Sequence, residues 1–348
     1  MINNIWVFDR DFNKIHTILS YISFDWCEEY QGRGLFTLYV GDSPENIEKI
    51  QEEYFLYMTD KKVAMVIKYK KLIRENQKIE MHGYTTLELI DQRGLLGIKR
   101  FGNVEAGMRE ALIESLRGLP RIGVAPLNGY PEAFSSQYSN RLLLDIFPEL
   151  CAQTELGIRM LFDYKNGQHL FDVYRGVDRT FGQHENIPVI FSDDWGTLTN
   201  AVVVDDKSNF KNVAYVFGMG EGEERIMVEV GTAQGIDRYE LFVDARDLQI
   251  EEDQSMEDYE DILRARGIAK LNEHNRRTSF TSEVNPVDFG VKYNLGDKVT
   301  CKSNRYGITL NARIMQYRQL YENNMIKVFL TLGEPEITLK EELKLWLS

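Results

Sequence analysis

The sequence has 348 residues and a mass of 40.5 kDa, and its 41 basic and 54 acidic side chains give a formal net charge of −13. This charge argues against a protein that holds DNA or RNA without sequence preference, and against docking to anionic lipid, since both need a basic surface. No apolar run approaches the roughly 18 residues of a membrane-spanning helix, and residues 1–12 lack the basic start of a signal peptide. At about 150 residues per domain, the length predicts two or three domains.

The first ninety residues are predicted to be β-structure. Residues 22–27 alternate between large apolar side chains and smaller or polar ones, which is the pattern of a half-buried strand. A short helix is predicted over 45–51, because Ser43 and Pro44 suit a helix start. Short strands at regular spacing favour a sandwich or barrel. The predicted strands cover 5–8, 14–19, 22–27, 35–40, 54–58, 63–72 and 77–82.

The middle of the chain changes to a helical period. Helices are predicted over 104–116, where apolar residues share one face, and over about 140–156. Pro148 is expected to kink or divide the second helix, and Gly157 is expected to end it. Glycines and prolines interrupt 118–138, so this segment is predicted to be a loop.

The rest of the chain is predicted to be mostly β again. The Asn166-Gly167 pair predicts a hairpin between strands 158–162 and 170–174. A charged amphipathic helix is predicted over 256–271. The remaining predicted strands cover 189–191, 198–204, 213–217, 225–230, 278–284, 298–302, 309–316 and 325–330.

These patterns predict an α+β protein in which two antiparallel β units, of barrel type, flank an α+β middle domain. The second β unit contains a helical insertion at about 244–275. The predicted domains cover 1–90, 91–188 and 189–335, and a short C-terminal tail or helix covers 336–348.

The sequence contains few patterns that indicate a catalytic site. The sequence has no phosphate-binding P-loop, no nucleophile-elbow serine motif and no zinc-protease helix motif. Residues 218–222 are rich in glycine, but a strand pattern follows them rather than a helix that binds phosphate, so they are predicted to form an acidic hairpin turn. The five histidines are scattered. No catalytic, cofactor-binding or metal-binding residue is therefore predicted.

Two acidic pairs leave one enzymatic alternative open. Asp193-Asp194 and Asp205-Asp206 lie near aromatic residues, as the carboxylates of a glycosidase often do. Adjacent side chains point apart on a strand, however, so solvated charge is the favoured interpretation.

The three cysteines, Cys27, Cys151 and Cys301, are odd in number and far apart. They are predicted to be buried free thiols rather than a disulfide framework. Without a C-x-x-C motif they give no thiolate metal site.

Over nearly its whole length the sequence resembles one family, the siphovirus-type tail proteins related to the baseplate-hub fold, also called tail-associated or tail-tip hub proteins. The matching segments occur in the same order along the chain. They are WVFDRDFNKI at 6–15, SFDWCEEYQGRGLFTLYV at 23–40, PENIEKIQ at 44–51, LLLDIFPELCAQTELGIRMLFD at 142–163, FDVYRGVDRT at 171–180, SNFKNVAYVFGMGEGEER at 208–225, RYELFVDARDL at 238–248, YNLGDKVTCKSNRYGITLNARI at 293–314 and LGEP at 332–335.

The resemblance implies a structural role at the tip or baseplate of a phage or phage-like tail. The two β units would then be tail-tube-like barrels, and three chains would form a homotrimeric ring of pseudo-sixfold symmetry. This ring would join the tail tube or distal tail protein to a tip, spike or fibre protein, and would surround the channel for genome ejection. A tape measure protein is a further possible partner in the lumen.

The resemblance carries no catalytic residues over to this chain, no cofactor and no membrane anchor, and the expected location is the virion tail after assembly in the host cytoplasm. The excess of acidic residues suits a channel that passes DNA without stable nucleic-acid binding. The alternatives are a glycan or peptidoglycan hydrolase at the tail tip and a host-receptor-binding module, for which a deep two-carboxylate cleft or an exposed aromatic platform would be the sign.

Two local hypotheses accompany the resemblance. The segment Asp178-Arg179-Thr180 is interpreted as a turn in which Asp178 accepts backbone N–H bonds, and Arg179 is proposed to bridge neighbouring chains. In the tail 336–348, an apolar stripe predicts a helix that docks either on a partner or on its own domain. The stripe consists of Leu339, Leu343, Leu345, Trp346 and Leu347.

Overall fold

The computed structural model describes residues 4–134, 137–192, 196–197, 199–250, 255–304, 307–322 and 325–333. The predicted tail 336–348 and the pair Asp193-Asp194 lie outside the described residues. The four α-helices of the described part are α1 (Pro44–Lys49), α2 (Val104–Ser115), α3 (Leu143–Thr154) and α4 (Met256–Glu273).

Strands dominate the described part of the chain, and the α+β class is confirmed. The strands are β1 (Ile5–Phe8), β2 (Lys14–Ile18), β3 (Ser23–Glu29), β4 (Leu35–Gly41), β5 (Phe55–Tyr57), β6 (Met65–Ile73), β7 (Lys78–Thr85), β8 (Ile98–Arg100), β9 (Ile122–Val124), β10 (Gln137–Ser139), β11 (Gly157–Asp163), β12 (Gln168–Tyr174), β13 (Asp178–Arg179), β14 (Ile190–Ser192), β15 (Thr199–Asp206), β16 (Val213–Phe217), β17 (Met227–Val230), β18 (Glu240–Asp244), β19 (Arg277–Val284), β20 (Lys298–Ser303), β21 (Ile308–Glu322) and β22 (Met325–Gly333).

The two predicted β units share one 14-stranded sheet. Its main path runs β15-β19-β22-β21-β3-β4-β7-β6-β5-β1-β2. The long strand β21 joins the two units, because residues 308–313 pair with β20 and residues 316–322 pair with β3. The first strands and the last strands of the chain are therefore hydrogen-bonded neighbours.

Each β unit nevertheless has its own apolar core. The N-terminal core is built around Phe24, Trp26 and Phe36, and the C-terminal core around Phe280, Val299 and Ile314. Tyr321, at the end of β21, is buried in the N-terminal core. The N-terminal β unit consequently depends on a strand from the C-terminal part of the chain.

The middle unit packs α2 and α3 against a three-stranded sheet with the order β11-β12-β9. The hairpin predicted around Asn166-Gly167 is present. The prediction that 118–138 is a loop is wrong in part, because this segment contains β9 and the first residues of β10. These strands have three residues each and pair with β12 and β8. Strands this short depend on their partners rather than on a local pattern.

The prediction that Pro148 divides α3 is wrong, and so is the prediction that Gly157 ends this helix. Pro148 lies inside the helix, which continues as one element through it. The buried side chains of Ile146, Phe147 and Leu150 hold the helix in the core and outweigh the hydrogen bond that proline removes. The helix ends with Glu155 in the left-handed region at φ 55°, and Gly157 begins β11 instead of ending the helix.

The predicted insertion helix α4 packs on a small sheet of its own, with the order β17-β16-β18. A capping box between Ser255 and Asp258 starts the helix. A Cβ at Gly267 would lie 2.7 Å from a methyl group of Val230, so glycine is needed for the close approach of helix and sheet. The turn at 218–222 joins β16 to β17 as an antiparallel hairpin, as predicted.

Candidate functional site

The N-terminal β unit, the middle unit and the C-terminal β unit meet at Tyr30, directly after β3. Its side chain is fully buried. Its backbone N–H donates to the carbonyl oxygen of Met315 in β21 at 2.9 Å, and its own carbonyl oxygen accepts from the N–H of Ile158 in β11 at 2.9 Å. The backbone of one residue therefore connects all three units.

The side chain of Tyr30 extends the same connection. Its hydroxyl group donates to the carbonyl oxygen of Glu155 at 2.9 Å and accepts from the N–H of Gly176 at 3.2 Å. Burial raises the pKa of Tyr30 to about 12, so the phenol stays neutral and remains a donor at physiological pH.

Two glycines make room for the Tyr30 ring. A Cβ built at Gly157 would lie 2.2 Å from a ring carbon, and one built at Gly296 would lie 2.3 Å from the same carbon. Gly157 belongs to the middle unit and Gly296 to the C-terminal β unit. The ring is thus clamped between backbones of two different units.

An ion-pair cluster lies beside the ring. Glu155 contacts the Lys298 ammonium group at 2.9 Å and the Arg313 guanidinium group at 2.8 Å. Partial burial acts to raise the pKa of Glu155, but the hydrogen bonds from Lys298 and Arg313 outweigh it and lower that pKa. These contacts join the end of α3 to β20 and β21.

Asp297 forms a second link between the middle and C-terminal parts. This carboxylate is only 2% exposed, and it accepts from the N–H groups of Val177 at 2.8 Å and Asn294 at 2.9 Å. It also accepts from Nε of Arg179 at 2.9 Å. Its negative charge is matched by hydrogen-bond donors, as a buried carboxylate requires.

These contacts correct the hypothesis for residues 178–180. The segment is not a turn, because Asp178 and Arg179 form the short strand β13, which pairs in parallel with β20. Asp178 does accept the backbone N–H of Thr180, at 2.8 Å, as expected. Nε of Arg179 donates to Asp297 of its own chain, and the hypothesis that this side chain bridges neighbouring chains stays a prediction.

Glu105 is a comparable buried carboxylate within the middle unit. It accepts from the N–H groups of Asn128 at 2.7 Å and of Gly129 and Tyr130 at 2.9 Å each, and it pairs with Arg109 at 3.2 Å. Its role in the structure is to hold the loop that follows β9.

A cavity of about 740 Å³ opens where the three units meet. On its wall, Lys61 donates to Gln319 at 2.7 Å and lies 4.6 Å from the ring centroid of Tyr317. Burial lowers the pKa of Lys61. The described residues contain no group of three or more His, Cys, Asp or Glu side chains that could hold a metal ion.

The acidic pair in the described part of the chain is solvated, as favoured from the sequence. Asp205 at the end of β15 pairs with Arg276, and its hydrogen bonds to that guanidinium group lower its pKa. Asp206 accepts from the N–H of Ser208 at 2.8 Å. The three cysteines are buried and free, which confirms the prediction. Among the described helices, none is long and apolar enough to cross a membrane.

The main path of the large sheet ends at β2 and β15, while β13 and β14 lie off this path and pair with β20. Helix α1 lies beside β2, where Asn46 contacts the His16 ring at 2.9 Å. Among the described residues β15 pairs only with β19, and Val202 within it is 55% exposed. Both strands are edges that another chain is able to extend.

Solved structures of phage tail proteins have this fold over nearly their entire length. The tail protein from Neisseria meningitidis MC58 aligns with a TM-score of 0.59 at 11% identity, covering 95% of this chain and 96% of that chain. Prophage tail protein gp18 from Listeria monocytogenes EGD-e aligns with a TM-score of 0.57 at 13% identity, covering 98% of this chain and 97% of that chain. The 43 kDa tail protein of prophage MuSo2 from Shewanella oneidensis aligns with a TM-score of 0.59 at 12% identity, covering 94% of this chain and 98% of that chain.

The fold is therefore that of a phage tail protein. The family described as Siphovirus ReqiPepy6 Gp37-like protein matches residues 4–334, and the chain belongs to this family. No curated protein sequence matches the chain. The resemblance stated from the sequence is thus confirmed at the level of a siphovirus tail protein family.

Sequence reasoning did not single out the junction residues. Tyr30 stands next to the glycine turn at 31–34, and nothing nearby marks it as buried. Gly157 and Gly296 are 139 positions apart in the numbering and reveal their common role only in three dimensions. Asp297 follows Gly296 in an ordinary Gly-Asp turn, which gave no sign of a buried carboxylate.

The replacement Gly157→Ala tests the junction. Because the new methyl group would overlap the buried Tyr30 ring, we expect the free energy of unfolding to fall by about 1–3 kcal/mol. Gly102→Ala is the matched control, since a Cβ there has no neighbour within 4 Å. Urea unfolding measures both variants, and equal stability of the two would contradict the role given to the ring.

The replacement Arg179→Ala tests the Asp297 link. We expect a loss of about 1–3 kcal/mol in the folded monomer, because Asp297 stays buried with one charged donor fewer. Arg246→Ala is the control, since its ion pair with Asp244 is exposed and exposed pairs contribute little to stability. If the Arg179 variant unfolds at the same temperature as the wild type, the stabilising role given to the Arg179–Asp297 contact is contradicted, and a contact of Arg179 with another chain becomes the favoured interpretation.

Proposed function

We propose that this tail protein is a structural, non-catalytic hub of the tail tip or baseplate, and that three copies form a pseudo-sixfold ring around the genome-ejection channel. The observation that carries the proposal is the continuous 14-stranded sheet, in which β21 joins two β units of one chain side by side. Three such chains would supply six β units to a ring.

The two sheet edges suggest how such a ring closes. The main path of the sheet has β15 at one end and β2 at the other, so a contact between β15 of one copy and β2 of the next would join unlike surfaces. Contacts between unlike surfaces produce a ring when the rotation closes. Pairing in this way would also protect edges that otherwise invite aggregation.

The proposed partners follow from the position of such a ring. One face would bind the tail tube or distal tail protein, and the other would bind a tip, spike or fibre protein, with a tape measure protein in the lumen. The net charge of −13 suits a ring through which DNA passes, because acidic side chains near the path repel phosphate groups.

The ring is tested by native mass spectrometry and negative-stain microscopy of the purified protein, alone and with its tail tube protein. We expect trimers that appear as rings with a central hole. Val202→Lys in β15 should reduce trimer formation several-fold, because a charged edge strand resists pairing. Ile113→Lys, at an exposed position on α2, is the control and should assemble normally.

Monomers in both preparations would contradict the proposed ring. Equal assembly of the Val202 and Ile113 variants would contradict the proposed contact between β15 and β2.

One observation favours host-receptor binding as a second candidate. The sheet β17-β16-β18 carries three aromatic rings that stack on one another. The Phe242 residue is 68% exposed, and its ring centroid lies 5.5 Å from that of Tyr215 and 6.2 Å from that of Phe217. Arg238 and Arg225 lie over the outer two rings, at 5.4 Å each. Aromatic and arginine side chains are enriched at binding surfaces.

For this second candidate, Phe242→Ser should weaken adsorption of assembled tails to host cells by at least about tenfold, the effect of losing about 1.4 kcal/mol of binding. Ile236→Ser, which removes a 93% exposed apolar side chain outside the stack, is the control. Equal adsorption by both variants, with intact rings, would exclude the aromatic stack as a receptor site.

A further inference from the structure

His169 in β12 is buried in an aromatic environment. The residue is 2% exposed, and neither ring nitrogen has a hydrogen-bonding partner among the described residues. Ring centroids of Phe12, Phe55 and Phe162 lie 4.9, 4.9 and 5.4 Å from that of His169. A neutral imidazole tolerates these surroundings, whereas an imidazolium ion would be buried without an acceptor or counter-ion.

The surrounding rings come from two units. Phe12 and Phe55 belong to the N-terminal β unit, and Phe162 belongs, with His169, to the β11–β12 hairpin of the middle unit. The same cluster includes Trp6, Phe8, Tyr57 and Tyr164. His169 therefore lies in the contact between the tip of the hairpin and the N-terminal β unit.

The hairpin is held differently at its two ends. At its base, the carbonyl oxygen of Tyr30 accepts the N–H of Ile158, and the Tyr30 ring packs against Gly157. At its tip, the N–H of Phe162 donates to the carbonyl oxygen of Lys62 at 2.9 Å, and the aromatic cluster packs beside this bond. The base is fixed by the buried hydrogen bonds of Tyr30, whereas the tip combines one backbone hydrogen bond to Lys62 with apolar packing around one titratable ring.

The charged and titratable groups around the cluster do not offset a charge on His169. Directly before β9, the backbone carbonyl oxygen of Arg121 accepts the backbone N–H of His169 at 2.7 Å, and the Arg121 guanidinium group lies 5.6 Å from the ring centroid of Phe12. From the loop after β1, Asp11 lies 3.9 Å from the Arg121 guanidinium group. From β5, the Tyr57 ring lies 4.9 Å from the Phe162 ring and 5.4 Å from the Tyr164 ring of the hairpin, measured between centroids.

We propose that His169 is a pH-dependent latch, whose protonation releases the hairpin tip from the N-terminal β unit while Tyr30 keeps the hairpin base attached. The closed form holds the imidazole neutral. The open form exposes it to water, where it takes up a proton. Acid therefore favours the open form through this one side chain.

The direction and the size of the pH effect on opening follow from proton linkage at His169. Burial lowers the pKa of His169 to about 3 in the closed form, against its ordinary value of 6.5. The stabilisation of the closed form is complete above the ordinary pKa and is lost as the pH falls from it towards 3. Between these values the opening equilibrium constant rises about tenfold per pH unit, so opening at pH 4.5 is about 100-fold more favourable than at neutral pH.

Hydrogen exchange of the full chain tests the latch. Exchange at the Phe162 amide, whose hydrogen bond to Lys62 crosses the contact, is measured from pH 7.5 to 4.5 and corrected for intrinsic rates. We expect protection to fall by about 100-fold in the wild type and by no more than a few-fold in His169→Phe, whose ring cannot be protonated. The β20–β22 amides should keep their protection in both proteins.

His184→Phe is the matched control, because His184 is exposed, and it should keep the wild-type pH profile. His169→Met serves the same purpose if the phenylalanine variant packs poorly at pH 7.5. The proposal is overturned if the wild type and the His169 variants lose tip protection equally, or if tip and β20–β22 amides lose protection together. It is also overturned if the His169 ring titrates near its ordinary pKa by NMR while the tip stays protected.

Discussion

The burial of one tyrosine ring holds the three parts of this protein together. Tyr30 has no exposed surface, so its hydroxyl group must find partners inside the protein, and it finds them in the middle unit at Glu155 and Gly176. Its ring has room only because Gly157 and Gly296 carry no side chain. Its backbone also forms hydrogen bonds to β21 in the C-terminal β unit and to β11 in the middle unit. Any relative movement of the units would break several of these contacts together.

The shared sheet makes the same units interdependent at a larger scale. Strand β21 completes the N-terminal core with Tyr321 while its first half pairs with β20 in the C-terminal unit. Neither β unit can exchange its partner without exposing backbone groups along a whole strand, which is costly. A subunit whose β units cannot separate suits the proposed hub, in which both units would keep a fixed spacing around an axis.

The sequence predicts the elements with strong local patterns and not the contacts between distant segments. The alternation at 22–27, the helical face at 104–116 and the Asn166-Gly167 turn each locate an element within a few residues. Strands β9, β10 and β18 were missed or hidden in predicted loops, because they have three to five residues and pair with strands from elsewhere. The junction at Tyr30 and Asp297 was missed for the same reason, since its glycines and carboxylate are ordinary turn residues in the sequence.

The buried charges argue for a structural role on physical grounds. A catalytic carboxylate has to keep an oxygen free for substrate or water, at least in part. Asp297 and Glu105 instead accept two and three backbone N–H groups, and each also pairs with an arginine. Their bonds fix loops and strands from separate segments in place. His169 shows the opposite arrangement, because its buried ring has no hydrogen-bonding partner among the described residues and lies among aromatic side chains where two units meet. Tyr30 and Asp297 thus join separate units through hydrogen bonds that satisfy their polar groups, whereas the proposed latch at His169 depends on a polar ring that lacks such bonds among the described residues.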